Sequence, residues 1–82
     1  MDELDLRGLR CPLPALHTEK RLRGLSPGQR LCVLADDPLA AIDIPHLCRQ
    51  GGHTLLGSDS IAGHHRFVIA KAGDDEASPG SK

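Results

Sequence analysis

The hydrophobic and polar positions of the chain fall into six runs of two periods. Leu4-Asp5-Leu6-Arg7 alternates, the period of a half-buried strand, with Leu4 to Leu6 as its apolar part. Gly8-Leu9-Arg10 is a turn, and a helical pattern comes at once after it. Cys11, Ala15, Thr18, Leu22 and Leu25 recur at spacings of 4, 3, 4 and 3, which predicts a core-facing stripe, weakly apolar in its middle. This reading puts Cys11 near the N-cap, Pro12 at N1 and Pro14 at N3, where a missing N–H has no intrahelical partner to lose. Lys20, Arg21 and Arg23 complement the dipole at the far end. Gly24 and Ser26-Pro27-Gly28 then close the helix.

Leu31-Cys32-Val33-Leu34-Ala35 is a continuous apolar run of strand length and predicts a central strand. Asp36-Asp37-Pro38 repeats the earlier punctuation, with Asp37 as N-cap and Pro38 at N1. The second helix is expected to turn Leu39, Ile42, Leu47 and Cys48 inward. Pro45 predicts a kink or a restart within it, with Asp43 as a local cap. Gly51-Gly52 ends it. His53 to Ser58 and His64 to Lys71 read as two strands around a turn near Asp59 to Gly63, with Phe67 and Ile69 on one face of the last. The order is β-α-β-α-β-β. It predicts an α+β fold, a two-layer α/β sandwich with two helices on one face of a mixed four-stranded sheet. Residues 1–72 form the domain, and the polar, Gly- and Pro-containing stretch 73–82 is expected to be a disordered tail.

Composition narrows the function. With 82 residues, no Trp or Tyr and one Phe, the core must be aliphatic. A formal charge of −1 argues against direct nucleic-acid binding by bulk charge. No apolar run reaches the ~20 residues of a bilayer span, and no signal-like segment opens the chain, so a cytoplasmic protein without membrane partners is expected. Three cysteines without a C-x-x-C pair suit neither a disulfide framework nor a zinc site, and fit a reducing compartment.

Of these cysteines, Cys32 sits mid-strand and Cys48 late in a helix, positions that suit buried small hydrophobes. Cys11 differs. A thiol at a helix start, beside Arg10 and near Arg7, is expected to be an exposed and modestly activated thiolate. No catalytic base adjoins it in sequence, because His17 lies roughly 240° around an ideal helix from it. His46, His53, His64 and His65 reach it only through the fold. His64 and His65 point to opposite faces of a strand, so no metal site is expected. A thiolate without a base suits sulfur exchange better than hydrolysis.

Gly8-Leu9-Arg10-Cys11-Pro12-Leu13-Pro14 resembles the C-P-x-P signature of the TusA/SirA sulfur-carrier family. Pro27-Gly28, Ala35-Asp36-Asp37-Pro38, Asp43-Ile44-Pro45 and Cys48 come in that family's order and spacing, from about Leu4 to Lys71. The resemblance implies a sulfurtransferase that needs no cofactor and turns over little without its partners. Cys11 would accept sulfane sulfur as a persulfide from a cysteine desulfurase or another donor and pass it to a downstream acceptor protein. The sulfur would serve tRNA thiolation, molybdenum-cofactor maturation or sulfur oxidation. The motif residues Gly8, Arg10, Pro12 and Pro14 would position Cys11, with Leu9, Leu13 and Leu16 around it as candidates for partner docking or as plain sheet cover. The resemblance also implies that Cys48 is not the main carrier. Two other classes fit the residues: a regulatory module that binds RNA or protein, and a redox sensor with a single working cysteine.

Overall fold

The computed structural model describes residues 2–73, so the expected tail lies, except for Gly73, outside the described residues. The elements are β1 (Asp2–Asp5), α1 (Leu13–Arg23), β2 (Arg30–Ala35), α2 (Ala40–Gly51), β3 (Thr54–Ile61) and β4 (His64–Ala70). The four strands lie in the order β1-β2-β4-β3. β1 and β2 are parallel, as an intervening helix requires, and the other pairs are antiparallel. The sandwich and mixed sheet read from the sequence are therefore the fold.

Alternation decides which side of the sheet is covered. Leu31 and Val33 of β2 pair with Ile69 and Phe67 of β4, and all four are fully buried. Leu22 of α1 and Ile44 and Cys48 of α2 close over them in one core cluster. Cys32 projects from the opposite side of β2 and is buried outside that cluster. β3 and β4 meet in a two-residue turn, Ala62-Gly63, tighter than the expected span, with both residues at positive φ.

Both helices start later than the sequence pattern suggested, and this changes their phase. In α1 the cap position is Pro12 and Leu13 is the first helical residue, so Pro14 stands at N2. The buried line is Pro14, Thr18 and Leu22; Ala15 is half-buried, and Cys11 lies outside the helix, exposed. The polar Thr18 is accommodated because its hydroxyl donates back to the Pro14 carbonyl at 2.8 Å.

In α2, Pro38 and Leu39 belong to the preceding turn, and the buried line is Ala40, Ile44 and Cys48. Leu39 and Ile42, expected inside, are 49% and 66% exposed, while Leu47 is half-buried against the core. Pro45 neither breaks nor restarts the helix, which runs unbroken from Ala40 to Gly51. Its missing N–H would have met the carbonyl of Ala41, an exposed residue whose carbonyl water can serve. At the other end Gly52 takes the left-handed conformation (φ 76°) that closes a helix at little cost only when no Cβ is present.

Candidate functional site

The site is built where the ends of β1 and β2 run into their helices. Leu6, buried, anchors the first turn through its N–H to the Leu34 carbonyl at 2.8 Å. The chain then reverses at Gly8, whose φ of 93° favours glycine. Two consecutive acids from the second turn hold the first turn from Gly8 to Cys11. Asp36 Oδ1 accepts the Gly8 N–H at 2.9 Å and an Arg10 guanidinium N–H at 3.3 Å. The Gly8 amide, with Arg10 beside it, holds the Asp36 carboxyl below its ordinary value. Asp37, nearly buried, accepts the Cys11 N–H on Oδ2 at 2.7 Å. The expected helix cap is thus spent on a different chain segment, and no side chain caps α2.

With its backbone clamped, Cys11 is the exposed thiol of the three free cysteines. Its S–H donates to Asp43 Oδ2 across 3.1 Å. Asp43, expected to cap a restarted helix, instead faces the sulfur from the first turn of α2. This overturns the expected activation. The carboxylate accepts the thiol proton and repels the thiolate, so Asp43 first, then desolvation and the charge of Asp37, push the Cys11 thiol above its ordinary value. The expected cations are occupied elsewhere: Arg10 pairs with Asp36, and Arg7 pairs with Asp5 at 2.8 Å. Nor does the sulfur sit on the amides of α1, which begins two residues later with proline as its second residue. Cys48, 2% exposed, is pushed by burial up to about 11, as befits an inert core thiol.

The other expected site residues divide. Pro12 and Leu16 line a groove of about 430 Å³ between α1 and α2, with Cys11 and Asp43 in its wall. Leu13 and Leu16 are 43% and 54% exposed. Leu9 is half-buried against the core and belongs to the cover of the sheet. Pro14 is core, supporting the site from beneath rather than touching the sulfur. His46 and His53 share the groove with Cys11, whereas His17 lies on a separate shallow pocket with Lys20 and Arg21. Burial holds the His53 imidazole below its ordinary value, and its Nδ1 accepts the Ala72 N–H at 2.9 Å. No group of three potential metal ligands occurs among the described residues.

The model of the sulfurtransferase TusA family matches residues 2–71, nearly the whole described chain. The chain belongs to the TusA family. Membership carries a sulfur-carrier role of the sulfurtransferase kind, exercised with other proteins. Among solved structures, a SirA-like protein from Desulfitobacterium hafniense superposes with a TM-score of 0.79 at 24% identity, over 90% of this chain and 100% of that one. That likeness shows a shared fold. No helix among the described residues is long and apolar enough to cross a membrane.

The carboxylates of Asp36, Asp37 and Asp43 are the part of the site that the residue pattern did not expose. The Asp-Asp-Pro and Asp-Ile-Pro segments were visible as punctuation. Their action on a loop 26 to 32 residues earlier is a tertiary fact.

Proposed function

We propose that this chain carries sulfane sulfur as a persulfide on Cys11, taking it from a cysteine desulfurase or another persulfide donor and relaying it to an acceptor protein. The observation that carries this reading is the contrast in access. Cys11 is exposed on a clamped loop at an open groove, while Cys32 and Cys48 are buried. Exchange between proteins needs a sulfur that a second sulfur can reach in line, and only an exposed thiol meets that condition.

In the loading step the Cys11 sulfur attacks the outer sulfur of the donor persulfide. A new S–S bond forms at Cys11, the donor's own S–S bond breaks, and the electron pair leaves on the donor thiolate, which takes up the proton Cys11 gave. Delivery repeats these events with Cys11 as the leaving group. The sulfane atom keeps its oxidation level throughout, so no external oxidant or reductant is required. Leu16, exposed in the groove with Cys11, and Leu13, exposed at the start of α1, fit a protein partner's apolar contact. Delivery to tRNA thiolation, molybdenum-cofactor maturation or sulfur oxidation is the range of destinations this chemistry serves.

The test is intact mass without reductant after incubation with a cysteine desulfurase and cysteine. A gain of one sulfur, about 32 Da, is expected in the wild type, in Cys32→Ala and in Cys48→Ala, and is expected to vanish in Cys11→Ala. Normal loading of Cys11→Ala would overturn the proposal. A gain of one oxygen under peroxide with no sulfur loading would favour a redox sensor instead.

A further inference from the structure

We propose that Asp43 makes the loaded carrier a strong sulfur donor, by favouring the empty Cys11 thiol over the Cys11 persulfide. The inference rests on the carrier reading above and concerns the direction in which sulfur moves rather than whether it moves.

The two states of Cys11 offer Asp43 different groups. The empty side chain is an S–H that donates to Oδ2 across 3.1 Å. A hydrogen bond to an ionised acceptor is stronger than one between neutral groups. Loading replaces that S–H with S–S–H. A persulfide is a stronger acid than the thiol it came from, because the adjacent sulfur weakens its S–H bond and withdraws charge, so at mildly alkaline pH it is an anion. Loading therefore removes the donor facing Asp43 and brings a like charge beside it.

Among the described residues, no lysine or arginine lines the groove and Asp43 joins no ion pair. The titratable groups facing the pair from the surrounding elements are Glu19 of α1, His46 of α2, His53 before β3 and Asp37 in the turn before α2. Of these, Asp37 adds to the repulsion. That the resting thiol is already pushed above its ordinary value by Asp43 is the same interaction seen in the proton's absence.

For a partner thiol E–SH the balance is Cys11–SH + E–S–S⁻ ⇌ Cys11–S–S⁻ + E–SH. One S–S bond breaks and one forms, and one proton moves from the Cys11 sulfur to the partner's. Asp43 stabilises the left side through the S–H bond and destabilises the right through repulsion, so it lowers the hold of Cys11 on its sulfur. A ligand or bond is shifted only by such a difference between states.

The test needs no natural partner. Persulfide is loaded onto the wild type with sodium tetrasulfide. It is then mixed under anaerobic conditions at pH 8 with reduced, ¹⁵N-labelled Asp43→Asn, and intact masses are read without reductant. The same end point is approached from loaded Asp43→Asn. Asparagine keeps the shape and an acceptor oxygen but not the charge. Sulfur is expected to gather on the variant by about five- to tenfold, the size of one unscreened charge near the surface. Asp43→Ser, which removes the charge with a different side chain, should shift sulfur the same way. Glu19→Gln removes a groove charge that does not touch the sulfur and should share sulfur with the wild type to within about twofold.

Equal sharing between the wild type and both Asp43 variants, or enrichment on the wild type, would overturn the inference while leaving the carrier reading intact. Failure of Cys11 to load in any of the proteins would instead sink the carrier reading itself.

Discussion

The two turns that lead from strand to helix look alike in sequence and do opposite things. Each places two residues and then a proline on the approach to its helix, Arg10-Cys11-Pro12 between β1 and α1 and Asp36-Asp37-Pro38 directly after β2. The first presents its side chain outward: Cys11 is exposed. The second presents its side chains to the first, through Asp36 on Gly8 and Arg10 and Asp37 on Cys11. Because β1 and β2 are parallel neighbours, their ends emerge side by side, and one turn can brace the other. The lesson is a division of labour. The loop that carries the exposed sulfur is held by hydrogen bonds from a loop whose own side chains turn toward it.

That comparison can be broken most forcefully at Asp37. Asp37→Ala leaves the Cys11 N–H without an acceptor in a part-buried position, and a loss of about 2 kcal/mol is expected, read as a fall in Tm of roughly 10 °C. A change within experimental error would mean that the second turn does not brace the first. A smaller effect belongs to Gly8→Ala. Open space surrounds the position, so the cost there is conformational, about 1 kcal/mol for a side chain at φ 93°. Urea denaturation would check it, and a stabilised variant would contradict the turn geometry.

The electrostatic half of the comparison is read by pH. The folded chain holds the Cys11 proton more tightly than an ordinary thiol does, so this contribution to stability is complete below the ordinary thiol value and fades as the pH rises through the higher folded one. Alkylation of Cys11 by iodoacetamide should therefore reach half its plateau at a higher pH than that of a free cysteine, and in Asp43→Asn that midpoint should move down. A wild-type midpoint at or below that of a free cysteine would contradict the geometry around the sulfur. The smallest effect is expected on the outer side of α2, where Ile42→Ser should alter stability by no more than about 0.5 kcal/mol, because that residue is exposed.

The same residues explain what could be read from the chain without coordinates. Element order was legible because Leu31 to Ala35 and Phe67 to Ile69 carry unambiguous strand patterns, and because glycine and proline mark nearly every boundary. The phase of α2 was not, since Leu39 and Ile42 are as apolar as any core residue and only packing shows that Ala40 and Ile44 took the inner positions. Cys11 was legible as the distinctive thiol from its setting between Arg10 and Pro12. Its electrostatic environment was not. Local reasoning counted the nearby arginines as its neighbours, whereas the fold gave them to Asp36 and Asp5 and gave the sulfur Asp43. Interactions across 26 and 32 residues leave no local trace beyond the presence of an acid.

The central claim is that one sulfur of three does the carrying, and locating that sulfur tests it most directly. The chain is loaded with tetrasulfide, trapped with an alkylating reagent, digested with trypsin and sequenced by mass spectrometry. Cys11 then falls in the peptide Cys11 to Lys20, whereas Cys32 and Cys48 share the peptide Leu31 to Arg49. The added sulfur, about 32 Da, is expected on the first peptide alone. Its appearance on the second, with the first unmodified, would contradict the account.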